Sequence, residues 1–118
     1  MSNRSTGAAG EGIAAACLKE KGMQILETNY RCTCGEVDII ARDGEWLVFA
    51  EVKTRRGVAK GLPSEAVNAD KRRHIVRTAL QYLQSRGLLE SRVRFDVVEV
   101  LPWGVRHIPG AFDATGII

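Results

Sequence analysis

Residues 35–54 read GEVDIIARDGEWLVFAEVKT, and their pattern decides the fold. VDIIA and EWLVFAEVK are dense in β-branched and aromatic residues, and Asp43-Gly44 between them is a strong turn signal, so the stretch reads as a hairpin with a short loop. Side chains alternate along a strand, which places Leu47, Phe49, Glu51 and Lys53 on one face and Trp46, Val48, Ala50 and Val52 on the other. Apolar residues on both faces describe a strand covered on both sides, with Trp46 in the core. Two acids interrupt that pattern. Asp38 lies between Val37 and Ile39, and Glu51 stands beside Lys53 at the end of the second strand. A hairpin brings Asp38 towards Glu51, although the pattern alone leaves the register open. A carboxylate buried there is costly unless something pairs with it. A divalent cation would do so, with Lys53 as the neighbouring positive charge. The alternative is a structural salt bridge among Asp38, Glu51 and Lys53 at the end of a sheet.

Ahead of the hairpin, Ser5 or Thr6 caps a helix that runs to about residue 20, with Gly22 ending it. Ala9, Ile13, Ala16 and Cys17 fall on one side, and Ala14, Ala15 and Leu18 widen the apolar surface. Glu11 shares the side of Ala14, Ala15 and Leu18, so it either points over the sheet edge or serves the helix dipole from the first turn. MQILETNY (23–30) reads as a strand, Arg31 to Gly35 as a turn, and Gly57 to Pro63 as a surface loop. Ser64 caps a second helix running to about Ser85, with an apolar stripe of Ile75, Ala79, Leu80 and Leu83 and with Arg72, Arg73 and Arg77 outward. RVRFDVVEVL (92–101) alternates as a strand, and 107–112 leaves room for one short further edge. The expected class is α/β: a small mixed β-sheet flanked by helices, in the order α-β-β-β-α-β with one further short strand optional.

The chain has 118 residues, 45% of them apolar and 26% charged, which is one globular domain spanning 1–118. That size excludes multidomain enzymes, large cofactor-binding folds and repeat arrays, and leaves a small catalyst open. The net charge of +3 is a mild basic bias, but its distribution is uneven. Lys71, Arg72, Arg73 and Arg77 cluster on the second helix, and Lys53, Arg55, Arg56 and Lys60 follow the hairpin. Such a cluster is either a phosphate-handling surface or a solvated helix face. Cys17 reads as a small buried thiol; Cys32 and Cys34, spaced Cys-x-Cys with no second pair downstream, are too few for a zinc site. The absence of a disulfide framework favours a reducing compartment. No leader-like segment and no run of about 18 apolar residues is present, so the expectation is a cytoplasmic protein with no membrane span. His74 reads as a surface residue, His107 as structural and Trp103 as exposed, and the aromatics are too scattered for a base-stacking platform.

Four blocks, GEGIAAACLKEKGMQILETNYR, GEVDIIARDGEWLVFAEVKTR, EAVNADKRRHIVRTALQYL and RFDVVEV, resemble in order the blocks of the small bacterial YraN-like proteins. That family is assigned to the restriction-endonuclease-like, or PD-(D/E)XK, nuclease superfamily. An acid on the first helix is also similar to the archaeal Holliday junction resolvases. The resemblance covers about residues 7–112. It implies a restriction-endonuclease-like core with active-site acids at Glu11, Asp38 and Glu51 and the lysine at Lys53. It implies Mg²⁺ or Mn²⁺ on Asp38, Glu51 and the Val52 carbonyl, with Glu11 joining through water or holding a second ion. Arg31 and Lys71 match commonly kept polar positions. Asn68-Ala69-Asp70 departs from the Ser/Thr-Pro helix start that relatives often carry. The expected function is a metal-dependent endonuclease that hydrolyses DNA phosphodiester bonds, in branched or junction DNA, as a homodimer. Arg31, Arg55, Arg56, Lys71, Arg72, Arg73 and Arg77 would then contact the DNA backbone. The alternative is a non-catalytic nucleic-acid-binding accessory protein in DNA repair or processing.

Overall fold

In the computed structural model, which describes residues 3–55 and 67–117, the expected order of elements is complete. Helix α1 (Asn3–Glu20) is followed by β1 (Gln24–Cys32), β2 (Gly35–Asp43) and β3 (Trp46–Thr54), then by α2 (Ala69–Ser85), β4 (Arg92–Leu101) and β5 (Gly104–Phe112). The five strands form one sheet in chain order. Neighbours run antiparallel except β3 and β4, which are parallel and joined through α2. The hairpin of β2 and β3 closes at Asp43↔Trp46, and Gly44 takes the left-handed φ of 59° that its turn demands.

Strand alternation sorts the core into two layers. Leu47, Phe49, Phe95 and Val97 pack with Ile75, Val76, Ala79, Tyr82 and Leu83 of α2. Val48, Ala50, Ile39, Ala41 and Val98 pack with Ala14 and Leu18 of α1. Helices therefore cover both faces, as the unbroken apolar run of β3 requires. Glu51 and Lys53 continue the parity of Leu47 and Phe49 and belong to the α2 side.

Several expectations are corrected. The inward side of α1 is Gly10, Ala14 and Leu18, while Ile13 is 48% exposed and Cys17 is only partly buried. Close approach sets that orientation, because a Cβ added at Gly10 would stand 2.2 Å from Thr54 Oγ1. Helix α2 begins at Ala69 and is capped by Asn68, whose side chain accepts from the Lys71 amide at 2.9 Å. The expected cap Ser64 and the loop 57–63 lie outside the described residues. Trp46 opens its strand at the margin of the packed layer and is 39% exposed, so it is not core. It borders an apolar groove of about 760 Å³ with Leu89, Phe95 and Phe112. The last strand is nine residues long, because the chain reverses at once through Pro102 and Trp103 to pair Leu101↔Gly104. Pro109 is tolerated there because β5 is an edge strand.

The Gly10–Thr54 contact is testable by a double-mutant cycle. Gly→Ala within a helix ordinarily stabilises by about 0.5–1 kcal/mol. Gly10→Ala alone should show none of that gain in urea unfolding, because the new methyl meets the Thr54 hydroxyl. In a Thr54→Ala background the gain should return. Equal effects in both backgrounds would show that α1 does not pack this closely.

Candidate active site at a fork in the sheet

The β2–β3 ladder runs from Asp43↔Trp46 to Ile39↔Ala50 and stops. Both strands continue, β2 with β1 as far as Gly35↔Cys32 and β3 with β4 as far as Thr54↔Val100. The sheet thus forks between residues 38 and 51, and Asp38 fills the fork. Its Oδ2 accepts a hydrogen bond from the Val52 amide at 2.8 Å, so a carboxylate stands in for the missing ladder carbonyl. In an extended strand the N–H and C=O of one residue leave on the same side, so the Val52 carbonyl also faces the fork.

Glu51, 5% exposed, stands beside Asp38. Burial pushes its carboxyl up to about 8, helped by a hydrogen bond to Asp38 and by the Asp38 charge, and opposed by Lys71 and Lys53. The protonated Glu51 carboxyl is therefore the favoured form beside the Asp38 charge. The ion-pair partner of Glu51 is Lys71 of α2, with Nζ 3.4 Å from Oε2. Lys53, partly buried on the same strand, forms no salt bridge among the described residues and acts on Glu51 by its charge at longer range. The closed triad of Asp38, Glu51 and Lys53 is therefore not what forms.

From the other side of the sheet α1 brings Glu11. Its carboxyl is raised by burial, by Asp38 and by Glu36, and lowered by a hydrogen bond from Asn29 and by Arg31. Asn29 adopts a φ of 53° within β1. One oxygen of Glu11, Oε1, is buried with no hydrogen-bond partner among the described residues. Such an oxygen is able to take a cation or its water as a partner. Among the described residues no three His, Cys, Asp or Glu side chains close around one point. A cation here would accordingly take Asp38, Glu51 and the Val52 carbonyl directly, with Glu11 reaching it through water.

The basic residues do not form one surface. Arg31, paired with Glu36, lines a cleft of about 430 Å³ together with Lys71, His74, Cys32 and Cys34. Arg72 and Arg73 line a separate hollow against Phe112 and Thr115. Arg72 gives its Nε to the Val67 carbonyl at 2.8 Å and lies over the Phe112 ring, while Arg73 pairs with Asp70. Arg55 follows β3 and lies beside Glu99, 3.5 Å away, and Arg77 is exposed on α2. Arg56 lies outside the described residues.

Two buried acids escaped the sequence reading. Glu99, 1% exposed, faces Lys53 in register and lies within 4 Å of Arg55 and Arg106. Asp96 is fully buried and held by Arg94, by His107 at 2.7 Å and by the Gly110 amide at 3.0 Å. Burial pushes the Asp96 carboxyl up, but those donors outweigh it and hold it below the ordinary carboxylate range. Inward parity with neighbouring valines in RFDVVEV is the signal that would have found both.

With this geometry in view, comparison with known proteins is decisive on kinship. The family model described as "Uncharacterised protein family UPF0102" matches residues 10–100. The chain belongs to that family. A UPF0102 protein of Syntrophotalea carbinolica is 50% identical over 116 residues, covering 95% of this chain and 94% of the relative. One from Rhodococcus jostii is 52% identical over 99 residues, covering 84% of each. Among solved structures, Hjc of Archaeoglobus fulgidus, a Holliday junction resolvase from an archaeal hyperthermophile, superposes with a TM-score of 0.53 at 20% identity. The match covers 91% of this chain and 79% of the resolvase. The UPF0102 chain thus shares the fold of that resolvase.

Glu51 gives the site a pH signature. Between its ordinary value of 4.5 and about 8 the folded protein keeps a proton that the unfolded chain has released. Stability contributed by this group is full below that window and falls as pH rises through it, by up to about 1.4 kcal/mol per pH unit. Glu51→Gln, which cannot ionise, should flatten the slope of urea-unfolding free energy between about pH 5 and pH 8. An unchanged slope in the variant would mean that Glu51 is ionised in the folded protein at neutral pH.

Proposed function

We propose that this UPF0102 protein is a divalent-metal-dependent nuclease that hydrolyses DNA phosphodiesters, with branched DNA as its substrate class. The observation that carries this reading is the fork, which brings Asp38 and Glu51 together beside Lys53 with Glu11 above them. The donor set is hard oxygen throughout, which suits Mg²⁺ or Mn²⁺. When bound, the cation supplies Lewis acidity toward the phosphate oxygens and the attacking water. The chain's own residues do the rest. Asp38 and Glu51 would hold the ion. Glu11 would orient a water beside it. Lys53 stabilises the charge that grows on the phosphate. Lys71 would meet substrate phosphate in the cleft that it shares with Arg31 and His74. Arg55, Arg56, Arg72, Arg73 and Arg77 add backbone contacts that position DNA without reading its sequence. Two cuts across a symmetric junction need two sites related by a two-fold axis, so the reading includes a homodimer.

The Lys71–Glu51 pair favours a second reading, because it closes the site without metal. The protein would then be a non-catalytic nucleic-acid-binding accessory factor. Such a factor retains DNA with an affinity that falls steeply with salt, and hydrolyses nothing under any metal.

The deciding experiment mixes purified protein with duplex, single-stranded, flap and four-way junction DNA in Mg²⁺ or Mn²⁺. The native chain should cut branched DNA, and Asp38→Ala, Glu51→Ala and Lys53→Ala should each lose at least about 10²-fold. Cleavage that persists in Asp38→Ala and Glu51→Ala would sink the proposal, and sedimentation as a monomer with and without DNA would remove the dimer. A melting measurement tests the metal separately. Mn²⁺ should raise the native melting temperature, since it binds the folded state alone. Asp38→Asn should lose that shift while staying about as stable as the native protein in EDTA. An equal Mn²⁺ response in both would place the metal elsewhere.

A further inference from the structure

The tip of the β1–β2 hairpin carries chemistry that phosphodiester hydrolysis does not use. Cys32 ends β1, pairs with Gly35 across the turn, and leaves Thr33 and Cys34 as the two loop residues. The Cys34 backbone amide points at Cys32 Sγ from 3.3 Å. A backbone N–H aimed at a sulfur favours its thiolate form. Both thiols are free and partly exposed, and both line the 430 Å³ cleft with Arg31, Lys71 and His74. Only weak contacts tie them to α2: Cys32 Sγ to Thr78 Oγ1 at 3.7 Å, and Cys34 Sγ to Gln81 Oε1 at 3.5 Å.

We propose that Cys32 and Cys34 form a reversible dithiol–disulfide couple that exchanges with small, negatively charged disulfides. The hairpin tip supplies the nucleophile. Burial pushes the Cys32 thiol up, but hydrogen bonds, that of the Cys34 amide first, outweigh it and leave the thiol below its ordinary value. Thr78 gives its own proton to the His74 carbonyl at 2.7 Å, so the Cys34 amide, 3.3 Å away, is the donor that holds the thiolate. The cleft supplies the partner: Glu36 offsets Arg31, but Arg31 and Lys71 together outnumber that one acid in the lining, so a carboxylate-bearing disulfide is drawn in.

The Cys32 thiolate attacks one sulfur of the small disulfide; a new S–S bond forms, the old one breaks, and one small thiolate leaves. Cys34, deprotonated in turn, attacks Cys32 Sγ; the protein disulfide forms and the second small thiolate leaves. The protein's two thiols are oxidised, the small disulfide is reduced to two thiols, and the two protons pass to them. This couple stands whether or not the neighbouring acids cut DNA.

Full-length protein, equilibrated at stepped ratios of reduced to oxidised glutathione, is acid-quenched, alkylated, digested and weighed. The peptide bearing Cys32 and Cys34 should lose both alkyl groups together as the buffer becomes oxidising, and dithiothreitol should restore them. Cys17 serves as the internal control. In Cys34→Ser the reaction should stop at a glutathione adduct on Cys32 that forms faster than any adduct on Cys17. The proposal is overturned if both sulfurs stay alkylatable at every ratio or if the disulfide forms only between molecules. It is equally overturned if Cys32 in the variant reacts no faster than Cys17.

Discussion

Everything in the candidate site follows from a ladder that stops early. The β2–β3 hairpin pairs to Ile39↔Ala50 and no further, while each strand goes on with its outer neighbour. Backbone groups at such a split would be left without partners inside a packed layer, at a cost of about 1–3 kcal/mol each. Asp38 answers for one of them by accepting from the Val52 amide. The same split opens the sheet to residues from both faces, so that α1 contributes Glu11 and α2 contributes Lys71 to one locus. A continuous ladder would have kept the two helices on opposite sides of a wall of backbone.

Three settings of buried acid show why burial alone does not mark a site. Asp96 is fully buried and fully answered by Arg94, His107 and the Gly110 amide, and its carboxyl is held below the ordinary range. It ties β4 to β5, and His107 carries the tie on to Lys21, just beyond α1, at 2.8 Å. Glu99 sits between Arg55 and Arg106, with Oε1 lacking a hydrogen bond among the described residues. Asp38 and Glu51 differ from both, because two acids face each other and Lys71 answers only one of them. Burial first, and the facing Asp38 second, hold the Glu51 carboxyl above the ordinary carboxylate range.

Kinship and likeness bear on different links of the argument. Identity near one half over almost the whole chain establishes membership of the UPF0102 family. The resolvase superposition, at 20% identity, establishes the fold. Neither assigns the chemistry; the reaction proposed above rests on this chain's own Glu11, Asp38, Glu51 and Lys53 and on the fork beside them.

By itself the sequence determined the class of fold, the order of elements and which face of β3 carries Glu51 and Lys53, because strand parity and turn residues act over a few neighbours. It also drew out Asp38 and Glu51, while Asp96 and Glu99, equally set inside an apolar strand, went unmarked. Only the tertiary structure decided how they are compensated. Lys71, and not Lys53, is the cation on Glu51, because α2 is docked across the sheet and brings a residue from far along the chain to 3.4 Å. Likewise Gly10, not the Ala9–Ile13–Ala16 side, faces the sheet, because close backbone approach to Thr54 outweighs the wider apolar stripe. Register, helix rotation and long-range charge pairing are settled by packing between elements, and local pattern carries no information about where a ladder ends.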